Sequence, residues 1–356
     1  MEGIAVFNWE ICRRMAKQHP EDQFYFFFDR KPSSIFSQLK NVNSIILRPQ
    51  ARHPLLWNYW FDHALTKALN KHEIDVFFSP EFYLSKATSI PTVIVTHDLG
   101  FLHYPDTYKR HHLDYFKKQV PLFLNKANHI IAVSEFTKQD IITSYNIDSE
   151  KITIAGNACR STFKQLNNSE KKAVRKSITG GVPYLLYLGS IHPRKNVLKL
   201  VNAFNVFKEK TNHEHKLVLY GRWAFKNNEI KEAIKQSPHQ EDIFIIGDDD
   251  FAVEKVVASA SCVVYPSLYE GFGIPILEAM TCGVPVITSD KGAMKEVGGN
   301  AAIYINPESI EDIAKAMDRL CAKQEVDEDV LFKNALRYSW DDSANQVYES
   351  LQSVVK

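Results

Sequence analysis

The sequence predicts an α/β protein of two doubly wound domains, each built on a parallel sheet. Its 356 residues are many for one domain and ordinary for two. Short apolar runs alternate with helical stretches along the whole chain, which is the pattern of strands joined by crossover helices. In the back half these runs are almost continuously hydrophobic, as expected for a parallel sheet that is covered on both faces.

The elements follow each other in two series. In the front half the predicted strands are 24–29, 44–48, 74–79, 92–97, 129–134 and 152–155, with helices over 61–71, 113–125 and 135–145. In the back half the predicted strands are 184–189, 216–221, 243–247, 262–265, 284–288 and 302–305. The polar stretch 161–181, which ends in Thr-Gly-Gly, lies between the two series and predicts the domain boundary. The front domain is therefore expected over 1–165 and the back domain over 166–339.

The two ends of the chain carry further elements. Apolar residues recur at three- and four-residue spacing over 344–354, which predicts a final helix over 341–354 with one face to bury. At the other end, Gly3 opens a helix that runs to about residue 18. A doubly wound domain normally places a central strand ahead of such a glycine loop, and none precedes Gly3. We therefore expect a gap in the front sheet, and a natural chain that begins upstream with an apolar strand of about five or six residues.

Charge and cysteine content exclude several classes of protein. Lys plus Arg number 43 and Asp plus Glu 42, so the net charge of +1 gives no reason to expect a nucleic-acid partner. The five cysteines form no Cys-x-x-Cys pair, which fits a reducing cytoplasm. No apolar run approaches 18 residues and the start lacks a signal-peptide pattern, so we expect a cytoplasmic protein. Contact with the inner face of the cytoplasmic membrane stays open.

The strongest motif is Glu-Gly-Phe-Gly within residues 265–287. A buried strand ends at Pro266, a glycine-rich loop follows, and Pro275 suits the first turn of a helix that reaches about residue 282. Gly271 and Gly273 allow backbone N–H groups to approach a ligand, and the new helix presents its positive end. This arrangement suits a diphosphate or the hydroxyls of a sugar.

Two glutamates, Glu270 and Glu278, flank the start of that helix. On one continuous helix they would lie about 12 Å apart along the axis, whereas the carboxylate pairs of glycoside hydrolases lie about 5 to 9.5 Å apart. The glycines interrupt the helix, so this estimate leaves the distance open. Separate roles are more natural, with Glu270 facing a sugar and Glu278 facing another part of the same ligand. The alternative is a surface loop with solvated glutamates.

A second motif, Gly-Ser-Ile-His-Pro-Arg-Lys-Asn, follows the first strand of the back half. Gly189 permits a tight turn out of the strand, Arg194 offers a fork for a bidentate phosphate contact, and Lys195 adds a point charge. Alone, an Arg-Lys pair before a helix is as often a solvated surface pair. Together with the Glu-Gly-Phe-Gly loop it indicates a phosphate site.

Taken together, these motifs resemble those of retaining glycosyltransferases of the GT-B fold, specifically family four, whose motif is two glutamates separated by seven residues. The resemblance is close over 184–307 and looser at 338–342. It implies that Arg194 and Lys195 bind the diphosphate of a nucleotide-sugar donor and that Glu278 holds the ribose hydroxyls. The transferred sugar would be held by Glu270 and by the amides of the residues that follow it, Gly271, Phe272, Gly273 and Ile274. Gly189 and Gly247 would complete the donor site, with Gly247 in the loop that contacts the nucleobase.

In the front half the same resemblance assigns roles to His97 and Gly3. His97 follows an apolar strand and would lie at the reaction centre; the alternative is a structural histidine held by a hydrogen bond. Gly3 matches the family's first glycine loop, near donor phosphate and acceptor. The resemblance also implies two Rossmann-like domains facing across a cleft, with the helix 340–356 completing the front, acceptor-side domain.

The expected activity is that of a hexosyltransferase, acting with retention from a nucleoside-diphosphate sugar to an acceptor hydroxyl. The mannosyltransferase-like Tyr-Glu-Gly-Phe-Gly favours GDP-mannose, and the acceptor would be a glycan or lipid-linked glycan of the cell envelope. Arg194 and Lys195, with the helix end, could stabilise the departing diphosphate without a metal, and no Asp-x-Asp motif or His/Cys cluster is present to hold one. We therefore expect no cofactor. The catalytic set would be His97, Glu270, Arg194 and Lys195.

Two other functions and one other surface stay open. A nucleotide-sugar epimerase on the same fold, or a non-catalytic nucleotide-sugar-binding subunit, would carry many of the same residues. The aromatic clusters 55–61 and 101–118 either contact an acceptor or a bilayer, or form core beside a solvated basic face.

Overall fold

The computed structural model describes residues 3–32, 39–247, 250–322 and 327–355. It divides the chain into two compact units, one of Met1–Asn157 with Ser339–Lys356 and the other of Ala158–Tyr338. Within the described ranges, no helix has the length and apolar character that crossing a membrane requires.

Twelve strands and fifteen α-helices are found in these ranges. The strands are β1 (Phe24–Phe28), β2 (Val42–Ile46), β3 (Phe77–Ser79), β4 (Thr92–Thr96), β5 (His129–Ala132), β6 (Ile152–Ile154), β7 (Tyr184–Leu188), β8 (Lys216–Tyr220), β9 (Ile243–Ile246), β10 (Cys262–Tyr265), β11 (Val286–Ser289) and β12 (Ile303–Ile305). The helices are α1 (Gly3–Gln18), α2 (Pro54–Tyr59), α3 (Thr66–Lys71), α4 (Gly100–His103), α5 (Arg110–Lys126), α6 (Glu135–Tyr145), α7 (Asn168–Thr179), α8 (Val197–Lys210), α9 (Asn228–Lys235), α10 (Val253–Ser259), α11 (Ile274–Thr281), α12 (Gly292–Gly298), α13 (Ile310–Ala322), α14 (Glu328–Ala335) and α15 (Trp340–Val354). All twelve predicted strands are present, although β2 begins two residues before its predicted start and β3 begins at Phe77 rather than at residue 74.

The first unit contains two separate parallel sheets in its described residues. One has the order β1-β2 and the other the order β3-β4-β5-β6. The four-stranded sheet is covered by a core that includes Ile94, Phe123 and Ile130, all almost fully buried. The sheets are separated between β1 and β3, which agrees with the expected gap in the front sheet.

The final helix belongs to this first unit, because α15 packs on α1 and on the strands β4, β5 and β6. The ring centroids of Phe7 and Trp340 are 6.1 Å apart. The Ser343 hydroxyl donates to the carbonyl oxygen of Gly156 at 2.6 Å. The apolar face of α15 is buried, as the spacing of its apolar residues predicts. Ala344 and Val347 on this face are fully inaccessible to solvent.

The second unit is built on one six-stranded parallel sheet in the order β12-β11-β10-β7-β8-β9. The chain runs outward from β7 in one direction and from β10 in the other, so the strand order reverses between these two neighbours. In open α/β sheets such a reversal leaves a crevice at the carboxyl ends of the strands, where ligands bind.

The predicted start of the back domain is eight residues too late, and the reason given for it is also wrong. The second unit begins at Ala158, since Phe163 is 3% exposed and Gln165 hydrogen-bonds Glu328 within that unit. The polar stretch after it is not a linker: most of it forms α7. A capping box between Asn167 and Glu170 starts this helix, and Gly180 ends it in the left-handed conformation.

Candidate active site

The loops that follow β7 and β10 lie side by side, because these strands are neighbours in the sheet. After β7 the chain forms a 3-10 turn, Pro193–Lys195, and Asn196 then takes a left-handed conformation with φ of 62° before α8. The Asn196 side-chain amide donates to the carbonyl oxygens of Pro266 at 3.1 Å and Pro307 at 2.6 Å. The Leu268 N–H donates to the carbonyl oxygen of Arg194 at 3.0 Å. These bonds fix the two loops against each other.

A buried charge cluster forms where the loops meet. Lys195 Nζ lies 2.5 Å from Glu270 Oε1 and 2.9 Å from the Tyr265 hydroxyl oxygen. Arg194 Nη1 lies 3.5 Å from Glu270 Oε2 and donates to the carbonyl oxygen of Tyr269 at 2.5 Å. With Glu270 only 7% exposed, two cations and one carboxylate share a site that is largely closed to water. Among these three side chains the cations outnumber the carboxylate by two to one.

The ionisation state of Glu270 follows from its two cationic neighbours. Burial by itself would raise the pKa of this carboxyl, but the charges of Lys195 and Arg194 outweigh it and hold the pKa below its ordinary value. Glu270 is consequently ionised throughout the neutral range.

The start of α11 faces the same loop. Gly273 caps the helix with φ of 105°, a conformation that side chains rarely adopt, and Pro275 occupies its first turn. The amides of Gly273 and Ile274 make no hydrogen bond to another residue in the described ranges. Phe272 is buried, with its ring 5.3 Å from that of Tyr338 in an edge-to-face contact. Donors at a positive helix end are thus positioned beside the charge cluster.

Glu278 lies inside α11 and has a different partner. Its side chain is as buried as that of Glu270, at 5% exposed, and Arg160 Nη2 donates to its Oε1 at 3.0 Å. Burial raises the pKa of Glu278 above its ordinary value, and the Arg160 guanidinium opposes that rise only in part. The arginine itself lies over the Phe163 ring at 4.8 Å.

Sequence reasoning missed both Arg160 and Gly221. No motif singles out Arg160, which contacts a glutamate 118 positions away. Gly221 has φ of 145° and approaches Gly189 so closely that a Cβ at Gly221 would collide with the Gly189 carbonyl group. The signal was available, because both glycines are the last residues of predicted strands. Gly247 follows β9, is exposed, and donates its N–H to Asp250 Oδ2 at 2.7 Å; residues 248 and 249 lie outside the described ranges.

His97 and Gly3 belong to the first unit, whereas the other predicted site residues belong to the second. His97 follows β4, and its Nε2–H donates to the carbonyl oxygen of Pro80 at 2.8 Å. Burial lowers the pKa of His97, so the neutral ring is favoured, with Nδ1 as the acceptor nitrogen. Its ring meets Phe7 edge to face at 5.1 Å, and Gly3 is the exposed first residue of α1.

Two models of known protein families match this chain, one in its front part and one in its back part. The family model described as Glycosyltransferase Family 4 matches residues 1–160, and the model described as Glycosyl transferases group 1 matches residues 168–335. The chain belongs to the family 4 glycosyltransferases. It is 27% identical to O-antigen chain mannosyltransferase B of Escherichia coli over 88% of this chain and 85% of that protein. It is also 27% identical to the O-antigen chain mannosyltransferase RfbU of Salmonella typhimurium, over 86% and 82% of the two chains.

Solved structures share the GT-B fold of this glycosyltransferase. The crystal structure of HepE of Anabaena in complex with UDP-glucose matches with a TM-score of 0.75 and 18% identity, over 97% of this chain and 95% of that one. WaaG, a glycosyltransferase involved in lipopolysaccharide biosynthesis, matches with a TM-score of 0.69 and 17% identity, over 100% and 94% of the two chains. The two predicted Rossmann-like domains of an α/β fold are thereby confirmed.

Proposed function

We propose that this glycosyltransferase moves a hexosyl group from a nucleoside-diphosphate sugar to an acceptor hydroxyl, with retention at the anomeric carbon. One observation carries the proposal: the buried cluster of Arg194, Lys195 and Glu270 adjoins the amino end of α11.

The two cations of that cluster suit the donor diphosphate. Arg194 and Lys195 are two fixed cations close together, and the negative charge of a diphosphate is attracted to them. As the bond to the sugar breaks, negative charge grows on the diphosphate, and fixed cations with helix-end amides stabilise it without rearranging. These groups could also perform the role that a divalent metal has in other enzymes, so we propose a metal-independent reaction.

Glu270 would act on the sugar. Its lowered pKa keeps it ionised, and a carboxylate beside the anomeric carbon stabilises the oxocarbenium-like transition state of glycosyl transfer. The ion pairs of Glu270 with Lys195 and Arg194 also link the sugar subsite to the diphosphate subsite.

Glu278 would bind the ribose. Arg160 occupies Oε1, while Oε2 makes no hydrogen bond to another residue in the described parts of the chain. An ionised carboxylate can accept hydrogen bonds from two neighbouring hydroxyls, so the ribose diol is a suitable partner. In this proposal His97 acts at the reaction centre, Gly3 lies near the donor phosphate and the acceptor, and Gly247 lies near the nucleobase.

The relatives favour GDP-mannose as donor and a polysaccharide or lipid-linked glycan as acceptor, since two of them are O-antigen chain mannosyltransferases. UDP-glucose is the main competitor, because HepE binds it. We place the enzyme in the cytoplasm.

A peripheral contact with the membrane surface would bring the enzyme to a lipid-linked acceptor. Three basic residues are exposed here: Lys109, directly before α5, and Arg110 and Lys117 in its first turns. Tyr59 on the neighbouring helix α2 is 52% exposed, and Leu122 on α5 is 51% exposed. Exposed basic and apolar side chains are the types that bind an anionic lipid surface.

The decisive experiment is a donor screen followed by product analysis. Thermal unfolding with GDP-mannose, GDP, UDP-glucose and UDP should show stabilisation by GDP and GDP-mannose, about 2.7 kcal/mol at a ligand concentration of 100 Kd. Turnover with a mannan-type acceptor should then proceed equally with and without EDTA, and NMR should show an α-linked product. A β-linked product would refute retention, and activity lost to EDTA would refute the metal-independent reaction. Stabilisation by none of the four would refute the donor site.

The same screen separates the alternative functions. Conversion of the donor sugar without acceptor would indicate an epimerase. Donor binding without transfer to any acceptor would indicate a binding subunit.

A further inference from the structure

The turn that carries Arg194 and Lys195 begins directly after His192. It is a single 3-10 turn, Pro193–Lys195, and His192 is its capping residue. The Nδ1 atom of His192 accepts a hydrogen bond from the backbone N–H of Arg194 at 3.3 Å. The first amides of a helical turn have no partner within the turn, so a side-chain acceptor at this position stabilises it. Asparagine, aspartate or serine usually supplies that acceptor, whereas an imidazole supplies it here.

The backbone of Arg194 is bonded on both sides. Its N–H donates to the His192 ring, and its carbonyl oxygen accepts from the Leu268 N–H at 3.0 Å. The chain before the turn is also fixed, because Ile191 is fully buried and its N–H donates to the carbonyl oxygen of Arg222 at 2.8 Å. His192 therefore connects an anchored stretch of chain to the peptide group that carries the Arg194 side chain.

A second turn of the same unit offers an internal comparison. Gln240–Asp242 is also a 3-10 turn of three residues, and it too is preceded by a histidine, His239. Among the residues that the structure describes, the side chain of His239 makes no capping bond to that turn. A histidine before a 3-10 turn thus does not form the cap by itself, so the cap at His192 is a property of the loop after β7.

The capping bond also assigns the protonation of the His192 ring. A ring nitrogen can accept a hydrogen bond only when it carries no proton, so the bond to Arg194 requires a neutral ring with its hydrogen on Nε2. The side-chain oxygen of asparagine takes the place of Nδ1, and the longer amide of glutamine reaches the place of Nε2. Substitution can therefore separate the two nitrogens.

We propose, on the basis of the diphosphate role proposed above for Arg194, that His192 is a positioning residue of the donor site. Its Nδ1 holds the amide of Arg194 and thereby fixes where the Arg194 guanidinium meets the diphosphate of the donor. His192 acts through Arg194, and no step of glycosyl transfer is assigned to the ring. Without the cap the turn loosens, so the loss falls on the binding of the diphosphate.

The test compares three substitutions by calorimetry with GDP and with UDP. His192→Asn keeps an acceptor at the position of Nδ1, His192→Gln places one at the position of Nε2, and His192→Ala removes both. Affinity for the nucleoside diphosphate that the unsubstituted chain binds should fall about fivefold in the alanine and glutamine variants, the factor expected for one lost cap. The asparagine variant and the matched control His239→Ala should each stay within about twofold.

Amide exchange at Arg194 in the free protein measures the cap without any ligand. It should become about fivefold faster in His192→Ala and His192→Gln and stay unchanged in His192→Asn. Unchanged exchange in the alanine variant would overturn the cap, and equal affinity of all three variants would overturn the positioning role.

Two further outcomes separate this role from others. Affinity kept in His192→Gln and lost in His192→Asn would overturn the proposal, because Nε2 would then be the nitrogen that matters. If the unsubstituted chain bound neither GDP nor UDP, the proposed donor site would fail and the role of His192 in it would fail too. The exchange rate at Arg194 would still decide whether the cap exists.

Discussion

The loop before α11 and the interior of α11 each hold one buried glutamate, and the two differ in their counter-ions. Glu270 is 7% exposed and pairs with both Lys195 and Arg194, whereas Glu278 is 5% exposed and, among the described residues, pairs with Arg160. Burial opposes ionisation in both places. Two cations overcome it and lower the pKa of Glu270, while one cation does not, so the pKa of Glu278 stays raised.

This difference teaches that burial alone does not assign roles to two carboxylates of one motif. The region with Arg194, Lys195 and Glu270 suits a diphosphate, through its cations, and a developing cation on the sugar, through its carboxylate. The region with balanced charge suits neutral hydroxyls, since it has no charge to offset. Each of the following predictions would break or sharpen that contrast.

The largest effect is expected from Glu270→Gln. This change keeps the shape but removes the negative charge next to the sugar, so kcat should fall by about 10²–10³-fold. Affinity for the nucleoside diphosphate should change by less than about threefold, as calorimetry would show, because the two cations remain. Glu308→Gln, at an exposed position of the same unit, is the matched control. Wild-type turnover of Glu270→Gln at saturating donor would remove Glu270 from the reaction.

The next effect is expected from the double variant Arg194→Ala, Lys195→Ala. Each charge-assisted bond contributes about 1.5–3 kcal/mol, so affinity for the nucleoside diphosphate should fall by at least about 100-fold. The control pair Lys210→Ala, Lys291→Ala removes two exposed lysines of the same unit and should change affinity by less than about twofold. Calorimetry that finds equal affinity for the two double variants would contradict the diphosphate assignment.

A smaller effect, on nucleotide affinity rather than on turnover, is expected from Glu278→Gln. Affinity for the nucleotide should fall by about tenfold, which corresponds to about 1.4 kcal/mol, since the amide cannot accept from two hydroxyls. Turnover at saturating donor should stay within about twofold. If the deoxyribose analogue of the nucleotide lost as much affinity from the substitution as the ribose form, the ribose contact would be wrong.

The smallest effect is a shift in pH dependence caused by Arg160→Gln. Glu278 binds hydroxyls best when ionised, so affinity should fall as the pH drops through its raised pKa. Removing Arg160 takes away the charge that lowers this pKa, so the midpoint should move to higher pH. At neutral pH affinity should fall about threefold, roughly 0.7 kcal/mol.

Two further variants test whether the charge of Arg160 controls the pKa of Glu278. Arg160→Lys should restore part of the shift, and Glu278→Gln should abolish the pH dependence on either background. A pH profile that Arg160→Gln leaves unchanged would show that the guanidinium does not govern Glu278.

Local signals predicted much of the fold. Helix α6 has its predicted bounds because its signals are adjacent in sequence, with Ser134 accepting from the Thr137 N–H at its start. The Glu-Gly-Phe-Gly loop was likewise recognisable, since a turn with φ of 105° needs glycine at position 273. The roles assigned to these site residues, and to His97 and Gly3, stay predictions.

What the sequence by itself determined is therefore what depends on neighbours along the chain: strands, helix caps, glycine turns, and the identity of the charged residues after β7 and β10. Only the tertiary structure decided which charges meet. Lys195 reaches Glu270 because β7 and β10 are adjacent in the sheet, and Arg160 reaches Glu278 because the chain before α7 packs against α11. Periodicity and capping carry no information on strand order or on contacts between distant segments, since these depend on how whole elements pack.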